Sequence, residues 1–386
     1  MQAWGMAQTP RLAVVIPGGQ PNTSDGRVKI ARKTVTGMVA YQERWPGEVV
    51  MVGRDAGEDG NVGLGGEWVR AEDLPFRLHV AGDLGEALAS ARPDIVLAPH
   101  HPDFRAVFDA SVPAALTSEI PARDAAIPPL EERPAPVARA RIVAGAVRYE
   151  GQLRRMAKRA AGLQCNGWSA WEAYSRFSPD PLLFYDTRLT RAQVDEASLD
   201  DRELLPDGRL RIAFSGRFVT GKGPIYAVRL HDELRARGVA HTMTLVGGGP
   251  LESVLRVAAD GDVQFLAPMD FDTEWVRWAR ESVDVMVLPH IQGDPSGTYL
   301  ESGGLGVPVL GFDNTALRNL VSRFDLGWAV PLRNVQALAD IVQRLVADRG
   351  LLADRGERGR RFMQEHHFDA EFDRRIEHLV RILASR

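Results

Sequence analysis

A single cysteine, Cys165, stands in a chain of 386 residues. It has no partner for an internal disulfide, and it cannot build a zinc site from several thiolates. No apolar run approaches the roughly 20 residues needed to span a bilayer. Residues 1–10 lack the basic-then-apolar order of a secretion signal, which points to the cytoplasm. Neither sign of charge dominates: 47 Lys and Arg face 51 Asp and Glu, a net charge of −4. Duplex binding draws on clustered basic charge, so a nucleic-acid partner is not expected. The rest, 45% hydrophobic and 25% charged, is ordinary globular composition. At about 150 residues per domain, the length favours two domains.

Short β-branched runs at residues 12–16, 49–52, 95–98 and 114–117 alternate with helical stretches such as 34–44 and 84–91. Strands alternating with helices imply a parallel α/β sheet. The first run ends at Pro17-Gly18-Gly19, a glycine loop after a strand. Pro121, Pro128, Pro129, Pro134 and Pro136 then suggest a long irregular segment. A helix follows, with Ile142, Val143, Ala146, Leu153, Met156 and Ala160 on an apolar face and Arg148, Arg155 and Arg159 on the other. That basic side reads as a solvated face or as a contact with an anionic membrane surface or lipid-linked acceptor.

Residues 182–185 and the polar stretch 186–209 mark a boundary, after which the pattern restarts. Strands are expected at 211–215, 242–246, 263–266, 283–288 and 307–311, with helices at 225–237, 274–280 and 335–348. Phe372, Ile376, Leu379, Val380 and Leu383 put an amphipathic helix at the end. The expected division is 1–190 on the acceptor side and 191–365 on the donor side, with 366–386 crossing back to the first domain.

The densest cluster is Gly216-Arg217-Phe218-Val219-Thr220-Gly221-Lys222-Gly223, between a strand and a helix. Glycines let backbone amides approach an anion, and Arg and Lys add charge, so a diphosphate fits. A magnesium-holding P-loop fits less well, because Gly223-Pro224 stands where Ser or Thr would bind the metal; a purely structural turn is the third reading. Gly247-Gly248-Gly249-Pro250 follows the next strand without the spacing of a dinucleotide fingerprint. Pro289 to Gly304 should run from a loop into a helix, with Ser296, Gly297 and Thr298 at its start and Glu301 about one turn further in. A carboxylate there suits a vicinal diol, whereas Asp294 could simply cap the helix. His100 and His101 follow a strand and read as polar loop residues with acceptor contact as the lesser option; no cluster of metal ligands accompanies them.

In order and spacing, Gly216-Arg217…Lys222-Gly223, Gly247-Gly248-Gly249-Pro250 and the block from Pro289 to Pro308 resemble the family 4 retaining glycosyltransferases. The resemblance is strongest over residues 211–328. Gln164-Cys165-Asn166-Gly167 and Asp294-Pro295-Ser296-Gly297-Thr298-Tyr299-Leu300-Glu301 resemble a bacterial polysaccharide-assembly subgroup. The resemblance implies a GT-B fold, two Rossmann-like domains facing across a cleft. It implies that Arg217 and Lys222 hold the donor diphosphate and that Glu301 binds the ribose hydroxyls. Gly216, Gly248, Gly249, Ser296, Gly297 and Thr298 would line the donor, and Gly18 and Gly19 would close on it from the other domain.

Two departures stand out. The family usually has a second Glu eight positions before Glu301, where this chain has Gly293 followed by Asp294. It also often has a His after the strand ending at Thr117, where Ser118 and Glu119 stand. Asp294 and Glu119 are therefore the candidate catalytic carboxylates, and Glu119 reads equally well as a simple cap.

The implied activity moves a hexosyl group from a UDP- or GDP-type sugar to a saccharide or lipid-linked acceptor in cell-surface polysaccharide or glycolipid synthesis. It would need neither metal nor cofactor. A nucleotide-sugar hydrolase or epimerase of the same fold, or a binding protein whose chemistry has lapsed, remains the alternative. The expected location is the cytoplasm, with the inner face of the membrane as an option.

Overall fold

The computed structural model describes residues 9–20, 25–57, 66–132, 134–197, 207–259 and 261–385. The β-branched runs form two parallel sheets. The first has seven strands in the order Arg77–Ala81, Glu48–Asp55, Arg11–Gln20, Ile95–Pro99, Ala114–Ser118, Gly162–Asn166 and Pro181–Phe184. The second has six, ordered Val263–Leu266, His241–Val246, Leu210–Ser215, Val285–Leu288, Val309–Phe312 and Gly327–Val330. Each sheet starts in its middle, winds to one edge, then returns and winds to the other, as in doubly wound nucleotide-binding folds.

Helices cover both faces of the sheets, so the strands are apolar on both sides. On the first strand Leu12 and Ile16 enter one core, while Ala13 and Val15 enter another on the opposite face.

The structure departs from the sequence reading in several places. The first strand continues through Pro17 to Gln20, with a register shift between Val15 and Gly19. Proline has no N–H for the ladder, so pairing breaks there and then resumes, and Gly18 and Gly19 lie within a bulged strand. The proline-rich segment is helical, with Ala122–Ala125, Ile127–Glu131 and then the long helix Pro136–Arg159. Pro128 and Pro136 sit in first turns, where a missing N–H costs little. Residues 182–184 belong to the last strand of the first sheet. The helix expected at 274–280 opens with a π-turn, Phe271–Trp275, before Val276–Ser282.

The last helix, Phe368–Ala384, packs on the first sheet. Phe372, Ile376, Leu379 and Ile382 share a core with Leu12, Met38, Tyr41 and Leu97. Burial of each such side chain is worth on the order of 2 kcal/mol. The Arg375 Nε donates to Gln164 Oε1 at 2.9 Å, and Gln164 Nε2 donates to the Arg375 carbonyl at 3.0 Å. Helix and sheet are thereby tied inside the core.

Gly247 lies at φ +144°, and a Cβ there would overlap the Gly216 carbonyl oxygen. The turns after the first two strands of the second sheet can pack together only because this position lacks a side chain. Gly37, inside the helix Arg32–Arg44, has nothing within 4 Å of an added Cβ. Gly37→Ala should therefore raise stability in urea by about 0.5–1 kcal/mol, whereas Gly247→Ala should lower it by more than that. Equal effects of the two changes would contradict this packing.

Candidate functional site

In doubly wound sheets ligands bind beyond the carboxyl ends of the strands, where the winding direction reverses. In the second sheet that point lies between the adjacent strands Leu210–Ser215 and Val285–Leu288. The loops leaving them are the two clusters singled out in the sequence, and they touch. The Ile291 amide donates to the Gly221 carbonyl at 3.1 Å. Gly223, in the left-handed region, lies so close to the Pro289 carbonyl that a Cβ would overlap it.

This packing carries Lys222 Nζ to Asp294 Oδ2 at 2.5 Å, with side chains 10% and 9% exposed. Asp294 Oδ1 has no hydrogen-bond partner among the described residues. His290 Nδ1 lies 3.7 Å from it. His290 is itself fully enclosed, and burial, with the Lys222 charge beside it, pushes its pKa well below the ordinary value.

Ser296 is the N-cap of the helix Gly297–Gly304, and no side chain caps that end, so Gly297 and Thr298 present backbone amides. Glu301 follows one turn in and is 2% exposed. Arg217 is exposed on the first loop. Gly249 serves close packing of the two turns, since a Cβ there would meet the Phe218 backbone, whereas one on Gly216 would make only ordinary contact with the Phe214 ring at 3.6 Å. Gly248 is not constrained in that way, its nearest neighbour being Pro268 at 3.7 Å.

The first domain contributes carboxylates. Glu119 is open to solvent but surrounded by protein; dehydration raises its pKa, as do Asp186 and Asp294, against the pull of Lys33 and Arg375. Asp124 is buried against Gly293: a Cβ at Gly293 would lie 3.2 Å from Asp124 Oδ2 and 3.1 Å from Ser169 Oγ. The place of the expected second Glu is thus filled from the other domain.

The structure turns the His100 ring inward rather than leaving it on a loop. It is 7% exposed, with Nδ1 3.0 Å from Ser118 Oγ and Nε2 2.8 Å from the Leu153 carbonyl. It joins the strand Ile95–Pro99 to the long helix. His101 accepts from the Asp103 amide and packs on Tyr149, capping the next turn.

The sequence reading missed three charged residues. Lys33 Nζ lies 2.7 Å from Asp186 Oδ2, which raises its pKa. Arg188 donates from Nε and Nη2 to both oxygens of Glu301, at 2.8 and 3.0 Å. No motif marks Asp186 or Arg188; they lie in a polar stretch that reads as a linker.

Residues 209–348 match the family described as glycosyl transferases group 1. The amylovoran biosynthesis glycosyltransferase AmsK of Erwinia amylovora is 30% identical over 145 residues, 35% of this chain and 36% of that protein. A phosphatidyl-myo-inositol mannosyltransferase of Mycolicibacterium smegmatis is 30% identical over 184 residues, 46% of each. The matched stretches thus span between about a third and a half of these relatives' length. Over nearly the whole chain the fold matches that of HepE from Anabaena, crystallised with UDP-glucose, at a TM-score of 0.63 and 12% identity, covering 98% of this chain and 100% of that one. WaaG, a glycosyltransferase of lipopolysaccharide biosynthesis, matches at 0.63 and 11%, covering 95% and 99%. The architecture is GT-B, and within the second domain residues 209–348 match the group 1 glycosyl transferases.

Burial lowers the His100 pKa to about 4. Between that value and the ordinary one near 6.5 the unfolded chain binds more protons than the folded one, so stability rises with pH across this window. By pH 4 the loss from His100 alone should reach about 3 kcal/mol. His100→Gln should flatten the decline measured by urea unfolding from pH 6.5 to 4; an unchanged slope would contradict the assignment.

Proposed function

We propose that this chain transfers a glycosyl group from a UDP- or GDP-type sugar to an acceptor hydroxyl with retention of configuration. The observation that chiefly supports this reading is the convergence of Lys222, the open amino end of Gly297–Gly304 and Glu301 at the reversal point of a domain matching the group 1 glycosyl transferases. As the bond from the sugar to the donor diphosphate breaks, negative charge grows on the leaving phosphate. Lys222, Arg217 and the amides of Gly297 and Thr298 stabilise that charge where it develops. Lys222 then exchanges Asp294 for phosphate, and Glu301 accepts the ribose hydroxyls.

The acceptor oxygen attacks from the face the phosphate leaves, and its proton passes to a departing phosphate oxygen. Glu119, on the acceptor side, orients that hydroxyl, and Asp294 faces the sugar. The paired cations supply the counter-charge, so the reaction proceeds without a metal or other cofactor. Closure of the domains excludes water that would hydrolyse the donor.

The relatives' roles in amylovoran synthesis and phosphatidyl-myo-inositol mannosylation support a saccharide or lipid-linked acceptor. No helix of the described residues is long and apolar enough to cross a membrane. The long helix Pro136–Arg159 is buried only near its end, at Leu153, Met156 and Ala157. Val143, expected to face inward, is 48% exposed, and Val137 and Val147 are 66% and 68% exposed. Arg139, Arg141 and Arg148 lie among them, and residues 134–149 contain no acid. This combination supports peripheral contact with anionic lipid at the cytoplasmic face of the membrane.

Lys222→Ala and Arg217→Ala should each lower transfer by about a hundredfold or more; Arg217→Ala, an exposed change, should leave the melting temperature within a few degrees, whereas Lys222→Ala should also lower it by leaving Asp294 buried without its partner. Near-normal turnover of both would overturn the diphosphate assignment. The wild type should sediment with vesicles rich in phosphatidylglycerol and not with pure phosphatidylcholine, and the paired change Val143→Asp, Val147→Asp should release it. Equal binding to both vesicles would contradict the lipid contact.

A further inference from the structure

Arg188 sits on the segment joining the two sheets, between the strand ending at Phe184 and the helix Arg191–Asp195. Its guanidinium makes a two-pronged ion pair with Glu301 and lies 3.7 Å over the centre of the Phe271 ring. The Glu301 side chain is 3% exposed, whereas that of Arg188 is 44% exposed. The guanidinium thus engages both oxygens of the carboxylate and is by far the more exposed partner. Two residues earlier, Asp186 holds Lys33 of the first domain. One short strap thus engages a charge on each side of the cleft.

A planar guanidinium and a vicinal diol present the same feature to a carboxylate: two parallel donors, one for each oxygen. Glu301, buried and served by one such partner, cannot face a second without displacing the first.

We propose that Arg188 is a built-in competitor for the donor nucleoside, occupying the carboxylate that the ribose hydroxyls must take. This rests on the ribose role of Glu301 given above. Donor binding exchanges the guanidinium for the diol and frees Arg188 to swing toward solvent between Asp186 and Asp272, the other acids acting on it. Nucleoside affinity is then set by the difference between two partners of one carboxylate, and seating the donor loosens the strap between the domains.

The competition is specific to the diol, which makes it separable from a structural role. Binding of UDP, GDP and their 2′-deoxy counterparts would be measured by calorimetry for the wild type, Arg188→Ala and Arg188→Lys. Whichever ribonucleotide binds should do so about fivefold tighter to Arg188→Ala, the scale of one partly exposed ion pair. Its 2′-deoxy form should gain much less, and Arg188→Lys, which keeps the charge but loses the fork, should fall between. In a Glu301→Gln background, Arg188→Ala should change nothing.

Unchanged or weaker ribonucleotide binding to Arg188→Ala, or an equal gain for the deoxy form, would overturn the competition while leaving the donor reading intact. If the wild type binds neither UDP nor GDP, the donor reading itself fails, and this inference with it. Should Arg188→Ala not fold, the comparison of Arg188→Lys with the wild type carries the same test.

Discussion

A lysine ammonium held 2.5 Å from a carboxylate, with a tenth or less of either side chain exposed, is the constraint around which the second domain is arranged. Removing two charges from water is expensive, and a buried pair often contributes little net stability. Here, among the described residues, one carboxylate oxygen is left without a hydrogen-bond partner beside a histidine whose two ring nitrogens also lack one. Such a site is poorly satisfied by the protein alone. Its free acceptor suits a hydroxyl donor such as a sugar's, and on the proposed reading the donor diphosphate takes the lysine from Asp294. The glycines of the adjoining loops follow from this, because Gly223 permits the approach to Pro289 that lets Lys222 reach the second loop.

The rest of the cleft is organised by charge. Arg217, Lys222 and an uncapped helix end gather positive potential at the second sheet. The first domain answers with Asp124, whose pKa burial raises, and with the solvent-exposed Glu119, whose pKa the acids Asp186 and Asp294 help to raise. Between them runs the strap Tyr185–Leu189, which places Asp186 on Lys33 and Arg188 on Glu301. A net charge of −4 spread over the whole chain gives no sign of this partition. Local arrangement, not total charge, governs what such a cleft can bind.

Much of the second domain was legible because its signals are local. Strand, glycine loop and helix follow one another within about ten residues, so the local sequence puts Lys222 and Glu301 just beyond the strand ends. Contacts between distant segments were not legible. Nothing near Arg188 in sequence reveals that it will pair with Glu301, 113 residues away. Nothing near Gly293 reveals that Asp124 will fill the space beside it.

His100 misled for the complementary reason: position after a strand suggests a loop, but only tertiary packing shows its ring turned into the core. Prolines misled where they open helices rather than break them, as Pro128 and Pro136 do. The apolar periodicity of the long helix was real, but its first half is only partly covered, with Ile142 and Ala146 half-buried and Val137, Val143 and Val147 exposed.

The most direct test of the account is a crystal structure with UDP or GDP bound. It should show the diphosphate between Lys222, Arg217 and the amides of Gly297 and Thr298, with Lys222 withdrawn from Asp294 and both ribose hydroxyls on Glu301. A nucleotide seated elsewhere, with the Lys222–Asp294 pair unbroken, would contradict it.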